Sequence, residues 1–78
     1  MGNVEVAYAT PEKQLILVVP FHDGLTVQKA IDASGILKHF PDINLDNNAV
    51  GVFSKPCKLD TLLRVGDRVE IYRPLIAD

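Results

Sequence analysis

Cys57, His22 and His39 are the side chains of this sequence best suited to nucleophilic or metal chemistry, and their spacing supports neither. A thiol nucleophile needs a base held against it. The two histidines fall in separate loop-like stretches, and nothing in the sequence brings either to Cys57, so a small buried or partly buried thiol is the plainer reading. Structural zinc takes four clustered ligands. One cysteine and two histidines fall short of that set unless carboxylates complete it, and His22-Asp23 is adjacent rather than spaced. Asp42 and Asp46 share a loop, but without the ligand spacing of a calcium loop. Gly24, Gly35, Gly51 and Gly66 are isolated, each better explained as a turn or a cap than as part of a phosphate cradle. No catalytic, cofactor-binding or metal residue is assigned, and the expectation is a protein that is not an enzyme.

Bulk properties narrow the classes further. Eight basic against ten acidic residues give a formal charge of -2, which offers no general attraction to nucleic acid or anionic lipid. Lys55, Lys58, Arg64, Arg68 and Arg73 gather in the last third of the chain, where a solvated face accounts for them. Aromatic residues do not interleave with them as on a single-strand binding platform. A lone cysteine excludes an intramolecular disulfide. The longest apolar run, Leu15 to Phe21, contains a proline and is far shorter than the roughly 20 residues that span a bilayer. With no leader pattern, the default expectation is cytoplasmic. Seventy-eight residues predict one domain over 1–78 with a short tail at 74–78. The hydrophobic fraction of 47% leaves apolar surface to be explained.

The elements that must position these side chains centre on Thr26 to Gly35. Thr26 is a suitable N-cap, Val27, Ala30, Ile31 and Ser34 recur at helical spacing, and Gly35 stands where a left-handed residue ends a helix. Lys29 occupies the third helical position, so the reciprocal capping box is absent and packing must sustain the helix. Ile36 to Phe40 predicts a further turn before Pro41. Ahead of the helix, Asn3 to Ala9 alternates Val4, Val6 and Tyr8 against Glu5, Ala7 and Ala9. Thr10 to Lys13 reads as a reversal, and Gln14 to Phe21 as a returning strand with Leu15, Leu17, Val19 and Phe21 in one row. Ile16 and Val18 form the opposite row, either because β-branched residues suit strands or because they belong to an apolar partner surface.

After the helix, Pro41 to Asn48 is a polar connection anchored by Ile43 and Leu45. Ala49 to Phe53 is a third strand, with Gly51 marking a bulge or a close backbone approach. Ser54 to Lys58 is expected to break that strand through Pro56. Leu59 opens a short edge strand or a turn, and Asp60 or Thr61 is a candidate cap for a brief turn carrying Leu62 and Leu63. Gly66-Asp67 reads as hairpin-type punctuation, and Arg68 to Tyr72 as a last strand alternating Val69 and Ile71 against Arg68, Glu70 and Tyr72. A hairpin, a helix and a terminal strand suit an α+β domain whose mixed sheet of four to five strands packs on one helix. The first and last strands then lie parallel, side by side. That is the β-grasp, or ubiquitin-like, arrangement.

VEVAYATPEKQ from Val4 to Gln14, DGLTVQKAIDASGIL from Asp23 to Leu37, FPDINL from Phe40, VGVFSK from Val50 and LLRVGDRVEIYRPLIAD from Leu62 resemble the RnfH family of small bacterial ubiquitin-like proteins. The resemblance implies a bacterial cytosolic protein whose gene is associated with the Rnf electron-transport complex or with a toxin-antitoxin locus. More distantly, Leu63 to Asp67 is similar to a turn of the sulfur-carrier proteins. Those carry a terminal Gly-Gly, whereas this chain reads Ile76-Ala77-Asp78, so a carrier or modifier role is the disfavoured alternative. The expectation is therefore a non-catalytic protein-interaction module, binding a protein of unknown identity through Ile16 and Val18, joined by Tyr72 and Arg73 if the last strand lies close. It needs no cofactor, binds no nucleic acid and does not insert in a membrane. Monomer and homodimer both fit, and the Pro41 to Asn48 loop would permit strand exchange.

Overall fold

The computed structural model describes residues 2–9 and 13–73. Most of the reversal expected at Thr10 to Lys13 and the whole tail at 74–78 lie outside them. The elements run β1 (Asn3–Ala9), β2 (Gln14–Pro20), α1 (Val27–Ser34), α2 (Ile36–His39), β3 (Val50–Val52), β4 (Lys55–Cys57) and β5 (Arg68–Ile71). The strands form one mixed sheet in the order β2-β1-β5-β3-β4, with β1 and β5 parallel and the other neighbours antiparallel. This is the expected β-grasp.

Helix α1 forms where its caps dictate. The Thr26 hydroxyl accepts the Lys29 amide at 3.2 Å, and Gly35 at φ 73° takes the left-handed end that a side chain would disfavour. The stripe Val27, Ala30 and Ile31 is buried and packs against β1, β2 and β5. From the sheet, Val4, Val6, Tyr8, Val19, Val69 and Ile71 meet it. Ile36 and Phe40 close one end through α2. Tyr8 and Phe40 stand edge to face, 4.8 Å between centroids. Ile43 is buried and Leu45 packs on the core, as expected of the connection's anchors.

Three local expectations fail. Pro56 does not break the chain after β3: it sits in β4, opposite Gly51, as part of a tight hairpin. The turn is Phe53-Ser54 at φ 47° and 69°, two positive values such as a two-residue hairpin of the primed type requires. Neither residue is a usual choice there, so the sequence carries no hairpin signal. Pro56 is tolerated because β4 is an edge strand. Leu59 lies in a turn, one of its two expected states, but Leu62 forms an isolated bridge with Thr26 instead of riding a capped turn. The Thr61 hydroxyl takes the Lys58 amide, while Leu59 and Thr61 carbonyls accept the Gln28 and Val27 amides at the start of α1. Gly66, at φ 88°, closes a turn from Arg64 to Asp67 that feeds β5 but joins no two paired strands. Its amide and the Asp67 carbonyl bond to β1 instead.

Candidate functional site

With Val4, Val6, Tyr8, Val69 and Ile71 turned to α1, the alternate residues of the same strands define the uncovered face of the sheet. The register places them in rows. Val18, Glu5 and Arg68 stand in one; Ile16, Ala7, Glu70, Gly51 and Pro56 in the next; Gln14 and Ala9 in a third, with Tyr72 just beyond the end of β5. Ile16 is 39% and Val18 60% exposed, so the second apolar row of β2 faces solvent on that side. Between them and Tyr72 the small side chains Ala7 and Ala9 leave a cavity of about 290 Å³, also bordered by Gln14, Arg68 and Glu70.

Polar contacts fix the far wall of this cavity. The Glu70 carboxylate accepts both the Tyr72 hydroxyl at 2.9 Å and the Ser54 amide at 2.7 Å, tying the positive-φ turn to the end of β5. Asn48, a buried polar residue, donates to the Tyr72 carbonyl and accepts the Asn44 amide, both at 3.0 Å, so the 41–48 connection holds the same point of backbone. Gly51 leaves room for the Tyr72 hydroxyl over β3: a Cβ there would stand 2.5 Å from that hydroxyl and 2.6 Å from the Lys55 carbonyl. Of the two readings of Gly51, a bulge or a close backbone approach, the second holds through the Lys55 carbonyl, and the Tyr72 hydroxyl lies beside it. At the other end, Arg68 Nε meets Glu5 Oε1 at 2.9 Å, a half-exposed pair that orients two side chains more than it stabilises them.

The structure therefore puts Ile16, Val18 and Tyr72 on one face, with β1 lying between β2 and β5. Arg73 is exposed, but strand alternation gives it the opposite parity to Tyr72, so it does not extend that row. Ala7, Ala9, Glu70 and Ser54 were not picked out in the sequence. Alternation in β1 and β5 places the first three on this face, whereas Ser54 joins it only through the hairpin.

The thiol and imidazoles stay apart in role. Cys57 is half-buried on β4, and His22 and His39 each direct Nδ1 to a local carbonyl, of Asp23 and Gly35. Among the described residues no cluster of three or more His, Cys, Asp or Glu is placed to hold a metal ion, and no helix is long and apolar enough to cross a membrane.

Residues 2–78 match the family model described as RnfH family Ubiquitin. The chain belongs to the RnfH family. It is 57% identical over 75 residues to Protein RnfH of Escherichia coli, covering 96% of this chain and 78% of that protein. To Protein RnfH of Haemophilus influenzae it is 53% identical over 76 residues, covering 97% and 74%. Among solved structures, H. volcanii small archaeal modifier protein 1 superposes with a TM-score of 0.72 at 16% identity, over 96% of this chain and all of that one; this likeness is one of fold alone. A Haemophilus influenzae protein solved as a 3D domain-swapped dimer is 53% identical, with a TM-score of 0.60 over 97% of this chain and 95% of that one. The RnfH-family chain is accordingly a ubiquitin-like β-grasp module.

Tyr72 supplies a direct probe of the face. Burial first, then the hydrogen bond to Glu70 and the negative charge of that carboxylate, with a smaller contribution from Cys57, push its phenol up from 10.0 to about 12. The folded state holds this proton to higher pH than the unfolded chain does. The stability it carries is therefore complete below pH 10 and lost as pH rises toward 12. In a Tyr8→Phe background, tyrosinate absorbance followed against pH reports Tyr72 alone, and Glu70→Ala is expected to lower its midpoint. A midpoint that ignores Glu70 would mean the contact is not made in solution.

Proposed function

We propose that this RnfH-family module binds a partner protein through the uncovered face of its sheet. The observation that carries the reading is the pairing of two exposed aliphatics, Ile16 and Val18, with a cavity floored by alanines and walled by a fixed tyrosine on the same face. Apolar groups already ordered by a sheet lose little freedom on binding, which favours association. Arg73, exposed and two residues past the end of β5, is turned away from the Tyr72 row and would meet a partner only at the margin of this face. A component of the Rnf electron-transport complex or of a toxin-antitoxin pair is the partner class implied by family resemblance.

Ile16→Asp with Val18→Asp places two carboxylates on this face without touching the core. The double variant is expected to keep its circular dichroism and a cooperative melt while losing at least tenfold in affinity for a captured partner, about what two desolvated charges cost. A folded double variant that captures its partners unchanged sinks the reading. Self-association is a second possibility with an observation behind it, because a relative 53% identical was solved as a domain-swapped dimer. Exchange of an element between copies through the 41–48 connection would make the dimer slow to form and slow to dilute apart.

A further inference from the structure

The backbone of β2, as distinct from its side chains, has its own unfilled capacity. β2 is the outermost strand on one side of the sheet, and among the described residues its only ladder is with β1. The Phe21 amide bonds to the Gly2 carbonyl. In an antiparallel ladder the hydrogen-bonded pairs alternate, so Val19, Leu17 and Leu15, two, four and six residues back, also turn their amides and carbonyls to β1. Gln14, Ile16, Val18 and Pro20 turn theirs outward. Pro20 has no amide and stands at one of the outward positions, which is why a proline fits within this strand. Among the described residues, no backbone hydrogen bond outside the ladders reaches these four.

Exposed edges are normally blunted by charge, brevity or proline. β4, the opposite edge, has all three: it is three residues long and contains Lys55 and Pro56. β2 is seven residues long, QLILVVP, with no charged side chain and its proline at the last position.

We propose that the outer edge of β2 pairs antiparallel with the same edge of a second copy of this chain, about a two-fold axis at Leu17. In that register Ile16 lies opposite Val18 of the other copy, Leu15 opposite Val19 and Gln14 opposite Pro20, so the whole strand overlaps itself. Each outward amide finds a carbonyl: Gln14 donates to Pro20, Ile16 to Val18 and Val18 to Ile16, once from each copy. The missing proline amide leaves only the Gln14 carbonyl without a donor. The register one step away, centred on Ile16, sets Val18 against Gln14 and Val19 against Lys13, and loses the apolar matching. Self-complementarity is the argument for a second copy: an uncharged strand meets an uncharged strand, and like meets like across the axis, as a two-fold contact demands. The pair continues the sheet through both molecules and brings the two Ile16 and Val18 rows together on one face. This inference uses the edge and stands or falls separately from the reading of the face.

The test is amide hydrogen exchange by NMR on the full chain across a concentration series, beside sedimentation equilibrium. Expected is a reversible dimer in which the Gln14, Ile16 and Val18 amides gain protection with concentration, while Leu15, Leu17 and Val19 are protected throughout. Val18→Pro deletes one outward amide per copy, breaks no bond to β1 and keeps the residue apolar. It is expected to raise the dimer dissociation constant about tenfold or more. Val18→Lys, which keeps the amide but sets like charges near the axis, serves if the proline variant does not fold. A chain that stays monomeric at about 1 mM overturns the proposal. So does a dimer whose Ile16 and Val18 amides remain unprotected, as in an exchanged-segment dimer, and so does dimerisation indifferent to both variants.

Discussion

Replacing Ile31 with alanine is expected to lower folding stability by about 2–5 kcal/mol, the range for deleting a fully enclosed aliphatic side chain. Ile31 is 0% exposed and belongs to the buried stripe of α1, with Val4, Val6, Val69 and Ile71 of the sheet in the same core. The core of so small a chain has no second layer to collapse into the void. At roughly 0.05–0.15 kcal/mol per residue, 78 residues leave a total of about 4–12 kcal/mol. The substitution therefore takes a large share of the whole, and in the lower part of that range the variant is substantially unfolded at room temperature. Urea titration followed by far-UV circular dichroism measures it, with Ile31→Val as the graded control at about 0.5–1.5 kcal/mol. A loss under 1 kcal/mol for the alanine variant would mean that α1 does not pack on the sheet through this side chain.

Gly51→Ala is the second large effect, and it reaches the candidate site. One methyl group at this position meets the Tyr72 hydroxyl at 2.5 Å and the Lys55 carbonyl at 2.6 Å. The ring can swing away, but the carbonyl belongs to the paired strand of the hairpin and cannot move without disturbing the ladder. Overpacking of this kind costs about 1–3 kcal/mol. Tyr72→Phe removes one of the two clashes, so Gly51→Ala should remain destabilising in that background, by a smaller amount. Displacing Tyr72 also loosens its bond to Glu70, and the raised phenol midpoint should fall with it. Denaturant titration and the tyrosinate titration of the same variants test both halves. A neutral Gly51→Ala with an unmoved midpoint would remove the tyrosine from the place described.

Both effects lie where long-range packing decides, and this separates what was legible in the residues from what was not. Alternation in β1 and β5, the Thr26 and Gly35 caps and the α1 stripe are local patterns, each written within a few residues, and all appear where expected. Ile16 and Val18 on the uncovered face followed from the same alternation. The β3–β4 hairpin was illegible because Phe53 and Ser54 adopt positive φ against their own preference. The turn is held from outside, by Glu70 accepting the Ser54 amide. Leu62 and Leu63 misled for a similar reason: their backbone answers to Leu25 and Thr26, far away in sequence.

By itself, then, the sequence determined the β-grasp order of elements, the core and the family, since these rest on periodicities and motifs contained in contiguous stretches. Tertiary structure decided that Gly51 seats Tyr72, that Asn48 and Glu70 hold both ends of that residue, and that a cavity opens over Ala7 and Ala9. It also decided that Pro20 occupies an outward position on a free edge. Each of these depends on which strand lies beside which and in what register. A shift of one residue would exchange the two faces of a strand and turn every such contact to the other side.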